Sequence, residues 1–410
     1  MAEMEENVTM SSSGIFAGVR VIELAQFVYV PGAGVMLADQ GAEVIKIETI
    51  EGDPYRTLKA GGDRNLGTIN IAMEQNNRNK KSIALDLKNE EGREALLRLV
   101  ETADVFLTSL RPKAIKGLRL DVEDLRARNP KIIYARGNGS GFRGPEANRP
   151  GYDASAFWAR GGACYAFTRP GEQPTSPRPA YGDHTGSMAL AFGIAGALFH
   201  RAQTGEATLV ENSLLATAAW VLSGDLTLVQ LPQYQTHPKV SLRRPLTYSY
   251  AAKDGKMVQL MILNTQPRWG ALCKALGLEA IEHDPRFASD EARNANGDAL
   301  IEVLAERFAT RDFAEWQPLL EAIDIPWELI SSIEDVTNDP QIHANGMMRK
   351  MAVGDTEVSI VAGPTSFNEK LFAHEPVSSP VLGADTAELL AEVGYTPAAI
   401  ADMKARAVVN

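Results

Sequence analysis

GVRVIELAQFVYVPGAGVMLADQGAEVIKIE, residues 18–48, is the stretch on which the fold turns. Its flanks, VRVIEL (19–24) and EVIKIE (43–48), are short, apolar and β-branched, as strands buried in a sheet are. Between them PGAGVMLADQGA (31–42) opens on Pro31 and closes on Gly41, the start and stop signals of a short helix. Together they spell a strand–helix–strand unit. SIALDL, NEEGREALLRLVETA, DVFLTS, VEDLRARN and KIIYARGN carry the alternation on as strand, helix, strand, helix and strand. Strands spaced by amphipathic helices of this length predict a parallel sheet with helices on its faces, hence an α/β fold.

The pattern changes after about residue 230. PLTYSYAAKDGKMVQLMIL reads as a hairpin about a Lys-Asp-Gly turn, and helices are expected near 266–276, 296–309 and 312–323. This block is expected to be a smaller α+β domain. MMRKMAV and EVSIVAG then read as short strands, and DTAELLAEVG and TPAAIADMKARA as helices capped by Asp385 and Thr396. The expected boundaries are a disordered tail over 1–14, a first part of the large domain over 15–225, the small domain with its linkers over 226–335, and a return to the large domain over 336–410.

Of 410 residues, 45% are hydrophobic, ample for a sizeable core. The net charge of -11 and the lack of a long basic run argue against a nucleic-acid partner. Cys164 and Cys273, far apart, support neither a disulfide framework nor a zinc site, and no metal is expected. The start, MAEMEENVTMSSSG, lacks the basic head and apolar stretch of a signal peptide. The longest apolar run, Met188 to Phe199, falls short of the roughly 20 residues a bilayer requires. A cytoplasmic protein with no membrane partner is expected.

Gly32 and Gly34 follow a strand, but Leu37 stands where a dinucleotide loop needs its third glycine, so the pair reads as a packing or turn feature. No Walker A sequence, zinc-binding histidine pair or G-x-S-x-G elbow occurs. Basic residues gather at Arg78, Lys80 and Lys81, at Arg111, Lys113, Lys116 and Arg119, and at Arg243 and Arg244. A solvated surface is the plain reading of each cluster. Arg111, however, stands just past a strand's carboxyl end, where α/β folds bind ligands, and a phosphate-rich ligand fits there. In RPAYGDHTGSMALAFGIAGALFHRAQTGEATL (178–209), Asp183 precedes a small-residue helix, either as its N-cap or as a catalytic carboxylate. His184 alone reads as a helix-start residue.

Several segments, in order from Gly18 to the C-terminus, resemble the family III CoA-transferases, the family of carnitine CoA-transferase, formyl-CoA:oxalate CoA-transferase and α-methylacyl-CoA racemase. They are the opening stretch, NRNKKSIALDLKNEEGREALLRLVETADVFLTSLRPKAI, NRPGYDASAFWARGG, YGDHTGSMALAFGIAGALFHRAQTGEATLVENSLL and, in the smaller domain, DPRFA (284–288). The resemblance implies a Rossmann-like large domain, a homodimer whose chains interlock like linked rings, and acyl-CoA with a carboxylate as substrates, with no tightly bound cofactor. It makes Asp183 the nucleophile. An ordinary aspartate, with a pKa near ~3.9, is ionised at neutral pH. Its attack on a thioester gives a mixed anhydride and CoA thiolate, thiolate return gives an aspartyl-CoA thioester, and an incoming carboxylate completes the exchange. Backbone N–H groups at the helix start are the expected oxyanion donors.

By the same resemblance Leu85, Asp86, Leu87 and Lys88, with Ser109, Leu110 and Arg111, hold the nucleotide part of CoA. Val28 and Tyr29 lie near the thioester, and Pro150 to Asp153, including Tyr152, make a further contact. Thr49 and Ser109 replace an arginine and an asparagine common in the family, and Pro150 a lysine of the formyl-CoA enzyme. Phosphate binding therefore falls to Arg111, Lys88, Arg56 or Arg149. HPKVSLRRPLTYSY has no counterpart of the formyl-CoA enzyme's glycine-rich loop, which argues against oxalate.

Racemases of the family carry histidine in GHD, whereas this chain has Tyr152 in GYD, and tyrosine is a poor base at neutral pH. The expected activity is CoA transfer from an acyl-CoA to a carboxylic acid. The alternatives are a racemase-like isomerase, which would exchange the α-hydrogen with deuterated water, and a non-catalytic acyl-CoA-binding protein. Trp158, Tyr165, Phe167 and Trp220 read first as core, and otherwise as an acyl pocket.

Overall fold

Strands β1 (Arg20–Leu24), β2 (Glu43–Glu48), β3 (Lys80–Ala84), β4 (Val105–Thr108), β5 (Ile133–Asn138) and β6 (Leu209–Ser213) form one sheet in the order β3-β2-β1-β4-β5-β6. Every pairing in it is parallel. This is the strand order of the doubly wound dinucleotide-binding fold, with its reversal between β1 and β4. The computed structural model describes residues 14–58, 69–175, 178–236 and 244–410. The tail expected over 1–14 lies, Gly14 apart, outside the described residues, and so does Arg243.

The helices flanking these strands are α1 (Tyr29–Asp39), α2 (Ile71–Asn77), α3 (Glu90–Glu101), α4 (Pro112–Leu118), α5 (Val122–Arg126), α6 (Ala163–Phe167), α7 (Tyr181–Thr204), α8 (Leu214–Val221) and α9 (Ser223–Leu228). Alternate strand residues face opposite layers. Ile22, Ile45, Phe106 and Tyr134 pack with Leu96, Leu99 and Val100 of α3, whereas Val21, Val44, Val105 and Ile133 pack with Leu37 of α1 and Leu190 and Ile194 of α7. Burial on both faces explains why the strands read as continuous apolar runs. The third strand begins two residues earlier than SIALDL. Beyond Ala84 the chain turns out of the sheet, with Asp86 Oδ1 accepting the Lys88 N–H at 3.0 Å.

Two compact units divide the chain. The first joins the residues up to Thr236 with His343–Asn410. Its C-terminal helices, Thr386–Glu392 and Pro397–Ala405, add Leu389, Leu390, Ile400 and Met403 to the α3 layer. Thr396 caps its helix by accepting the Ala399 N–H. Asp385 does not cap: its carboxylate accepts the Ser82 N–H at 2.7 Å, so it ties the chain end to β3 instead. In the second unit Ser249–Ala251, Met257–Leu260 and Trp327–Leu329 form an antiparallel sheet. Its core holds Tyr250, Trp269, Phe308 and Trp316. Among the described residues no helix is long and apolar enough to cross a membrane.

The first basic cluster is neither a solvated surface nor a phosphate site. Arg78 is buried against Asp39 at 2.7 Å, and Lys80 against Glu23 at 2.8 Å. Lys81 pairs with Glu43 and Glu388. Lys46, also buried, lies 2.9 Å from Asp53 and 3.6 Å from Glu23. Two ammonium groups and two carboxylates thus neutralise one another beneath the sheet's carboxyl edge, as buried charges must.

Candidate active site

The segments that follow the carboxyl ends of β1 to β5 gather along one edge of the sheet, and two adjoining cavities open there. The first, about 440 Å³, is lined by Leu24–Gln26 after β1, Glu48–Glu51 after β2, Leu85–Lys88 after β3, and Leu110 after β4. The second, about 270 Å³, is lined by Gln26, Phe27, Tyr29, Ser109–Arg111, Asn138, Tyr152 and Asp183, among others. Gln26 and Leu110 belong to both walls. The pair therefore spans the point where the strand order reverses, the crevice in which doubly wound sheets bind ligands. Ser109 Oγ accepts the Gln26 N–H at 3.0 Å and pins β1's exit to β4's.

Asp183 is not in a loop, and it is not the N-cap. α7 begins at Tyr181, behind Ala180 in a left-handed conformation (φ 66°), so Asp183 lies in the first helical turn. The capping acceptor comes from elsewhere. Asp153, at the head of a π-helical turn (Asp153–Arg160), accepts the Gly182 N–H at 3.1 Å, and also those of Ala180 and Tyr181. Those backbone donors, expected for an oxyanion, are thus already engaged. Burial, reinforced by the neighbouring Asp153 charge, pushes the Asp183 carboxyl up to about 7, well above the ordinary value assumed from sequence. Burial also pushes Asp153 up to about 6, against the pull of its backbone donors. His184 takes no part in this wall. Its Nε2 lies 3.1 Å from Asn76 Oδ1, and burial, with Arg78 nearby, holds its pKa below the usual value.

Tyr29 and Asp183 are fastened together through their backbones. Ser187 Oγ lies 2.6 Å from the Tyr29 carbonyl and 2.8 Å from that of Asp183, so its hydroxyl ties α1 to α7. Gly32 packs against that same serine, which is the packing role read for the glycine pair. Phe27 stacks edge-on against Tyr152 at 5.3 Å and holds a left-handed backbone (φ 66°), an uncommon state for a bulky residue. Asp53 Oδ1 fixes it there by accepting both the Phe27 and Tyr55 N–H groups, at 3.3 and 2.9 Å. Val28 lines neither cavity; its side chain is buried.

Of the cations proposed for phosphate, Arg56 is spent: its guanidinium clasps Glu48 at 2.7 and 2.6 Å and the Pro380 carbonyl. Arg149 pairs with Glu146. Lys88 and Arg111 are exposed at the cavity rims, and Arg111 donates to the Asn148 carbonyl. Trp158 is core, but Tyr165, Phe167 and Trp220 are 67%, 62% and 80% exposed, so the core reading fails for those three. They sit on the short helices α6 and α8, whose outer sides stay largely open among the described residues. Gln26, Asp53 and Tyr55 were not anticipated. The sequence does carry one signal for Asp53, the Asp-Pro that opens a short 3₁₀ turn.

The model of CoA-transferase family III matches residues 16–386. The chain belongs to that family. It is 33% identical over 402 residues to the (R)-2-hydroxy-4-methylpentanoate CoA-transferase of Clostridioides difficile, covering 97% of this chain and 100% of that one. It is 34% identical over 410 residues to the cinnamoyl-CoA:phenyllactate CoA-transferase of Clostridium sporogenes, covering 98% and 97%. A solved structure of a CAIB/BAIF family protein from Brucella suis superposes with a TM-score of 0.77 at 30% identity, over 93% of this chain and 100% of that one. The family III transferases act on CoA thioesters, and a crevice at the sheet's carboxyl edge with a carboxylate in its wall suits that chemistry.

Proposed function

We propose that this CoA-transferase carries CoA on Asp183. The observation behind the proposal is that Asp183 is the one carboxylate among the described residues lining the 270 Å³ cavity, which adjoins the 440 Å³ cavity at Gln26 and Leu110. The nucleotide of CoA lies over Leu85, Asp86, Leu87, Lys88 and Leu110, its phosphates near Lys88 and Arg111, and the pantetheine runs past Gln26 and Ser109. The thioester then meets Asp183 beside Tyr29 and Tyr152, with Val28 contributing only backbone. Asp183 attacks the thioester carbonyl, expelling CoA thiolate and forming a mixed anhydride. The thiolate attacks the aspartyl carbonyl and releases the donor acid. The acceptor carboxylate repeats both steps in reverse, and the thioester energy is retained throughout.

The acyl end of the crevice is walled by Phe27, Tyr29, Tyr152 and Leu214. Such walls favour acids with a branched or aryl tail, the kind acted on by the two clostridial relatives. A homodimer of interlocked chains completes the reading. The first unit leaves the large apolar side chains of Phe192, Phe199 and Trp220 largely exposed, which a partner chain would cover. Two free cysteines fit a cytoplasmic, reducing setting.

The test is a screen of acyl-CoA donors against mixed organic acids, read by mass, for wild type and Asp183→Asn. Transfer to branched or aryl acids by wild type, lost in the variant, supports the proposal. Full activity in the variant removes it.

A further inference from the structure

Tyr29 carries a buried hydroxyl with no hydrogen-bond partner. The residue is only 7% exposed, yet it lines the same cavity as Asp183 and lies close enough to feel that carboxylate's charge. An orphaned buried phenol is costly unless something meets it. Its ring is held fast. A Cβ at Gly137 would come within 2.8 Å of one ring edge, and a Cβ at Gly186 within 2.6 Å of the other, so the two glycines form a slot shaped for this side chain. The Ser187 hydroxyl fixes the backbone behind it. A rigid, desolvated donor beside the reacting carboxylate is what an oxyanion site requires.

The usual source of such donors is mostly taken up. Ala180, Tyr181 and Gly182, at the start of α7, already give their N–H groups to Asp153. From the orphaned phenol, its glycine slot and these engaged amides, we infer that the Tyr29 hydroxyl is a catalytic hydrogen-bond donor to the acyl carbonyl oxygen. The inference rests on Asp183 as the nucleophile. When an Asp183 oxygen bonds to the thioester carbon, the carbonyl π pair moves onto oxygen, and Tyr29 Oη–H donates to that oxyanion without releasing its proton. The pair then returns as the C–S bond breaks and CoA thiolate departs. Burial, with Asp183 adding its charge, holds the phenol far above its ordinary pKa, so it stays a donor at every working pH.

Tyr29→Phe removes the hydroxyl and keeps the ring in its slot. The expected result is a kcat roughly 30- to 300-fold lower, with KM for acyl-CoA within about two-fold. The single-turnover rate of covalent labelling at Asp183 falls by the same factor. Because no partner loses a bond, the variant melts at or above wild type. A kcat within two-fold of wild type overturns the inference, and so does a lowered melting temperature, which would make the hydroxyl structural. Asp183→Asn, run alongside, separates the two readings. If it is inactive while Tyr29→Phe keeps full speed, only the role of Tyr29 falls; if it is fully active, the nucleophile assignment falls.

Discussion

Asp153 and Asp183 are linked by a single peptide: Asp153 Oδ1 accepts the Gly182 N–H at 3.1 Å, and the next residue is Asp183. One carboxylate caps the helix on which the other is mounted. The cap also places a second negative charge near the first, which adds to the effect of burial on Asp183. Orientation and proton affinity are set by the same side chain.

Asp153→Asn separates these effects. Ionised Asp183 is the attacking form, so kcat/KM falls on the acid side, with a limb near 7 in wild type. Removing the Asp153 charge moves that limb to lower pH, while the weaker cap costs roughly 3- to 30-fold in kcat. A pH–rate profile with an unmoved limb contradicts the coupling.

Asp183 also lowers stability at neutral pH. Its folded pKa of about 7 lies above the ordinary value of 3.8. As pH rises from 4 towards 7 the unfolded chain gives up a proton that the folded chain keeps, so stability falls and the cost is complete above 7. Asp183→Asn is therefore expected to melt several degrees above wild type at pH 8, by roughly 2–4 kcal/mol, with the gap closing near pH 4. Equal melting temperatures at pH 8 count against a buried, ionisable Asp183.

How much of this was legible in the sequence differs by level. The strands showed because Val21, Ile22, Val44 and Ile45 are apolar on both faces, a pattern that belongs to a covered parallel sheet. Asp183 showed through its resemblance, but its setting did not. A local pattern cannot reveal that a cap 30 residues upstream, Asp153, frees Asp183 from capping. Nor can it show that Arg56, Arg78 and Lys80 are consumed by Glu48, Asp39 and Glu23. Those partners are distant in the chain or hidden by burial, and only folding brings them together.

Lys46 offers a test of the buried charges beneath the site. Its ammonium lies between Asp53 and Glu23 and donates to the Ala25 carbonyl at 3.0 Å. Lys46→Met leaves two buried carboxylates facing only Lys80, and a loss of about 3–5 kcal/mol in denaturant unfolding is expected. Since Asp53 also holds Phe27, catalysis should drop in the fraction that still folds. A change under 1 kcal/mol contradicts the pairing.

Arg111→Ala and Lys88→Ala test the nucleotide end. Each is expected to weaken CoA binding about 5- to 20-fold by calorimetry and to flatten its salt dependence, leaving kcat nearly intact. Arg56→Ala should instead cost stability, because its partner Glu48 is buried. Normal CoA affinity in both Lys88→Ala and Arg111→Ala would place the phosphates elsewhere.

The most direct measurement follows oxygen. Wild type is turned over with excess acceptor carrying ¹⁸O in its carboxylate, in ordinary water, and the peptide containing Asp183 is weighed. Each cycle through an aspartyl anhydride and thioester hands one acceptor oxygen to that side chain, so the peptide should gain mass in 2 Da steps, localised by fragmentation to Asp183. Product formation with the Asp183 peptide at its natural mass would contradict the account.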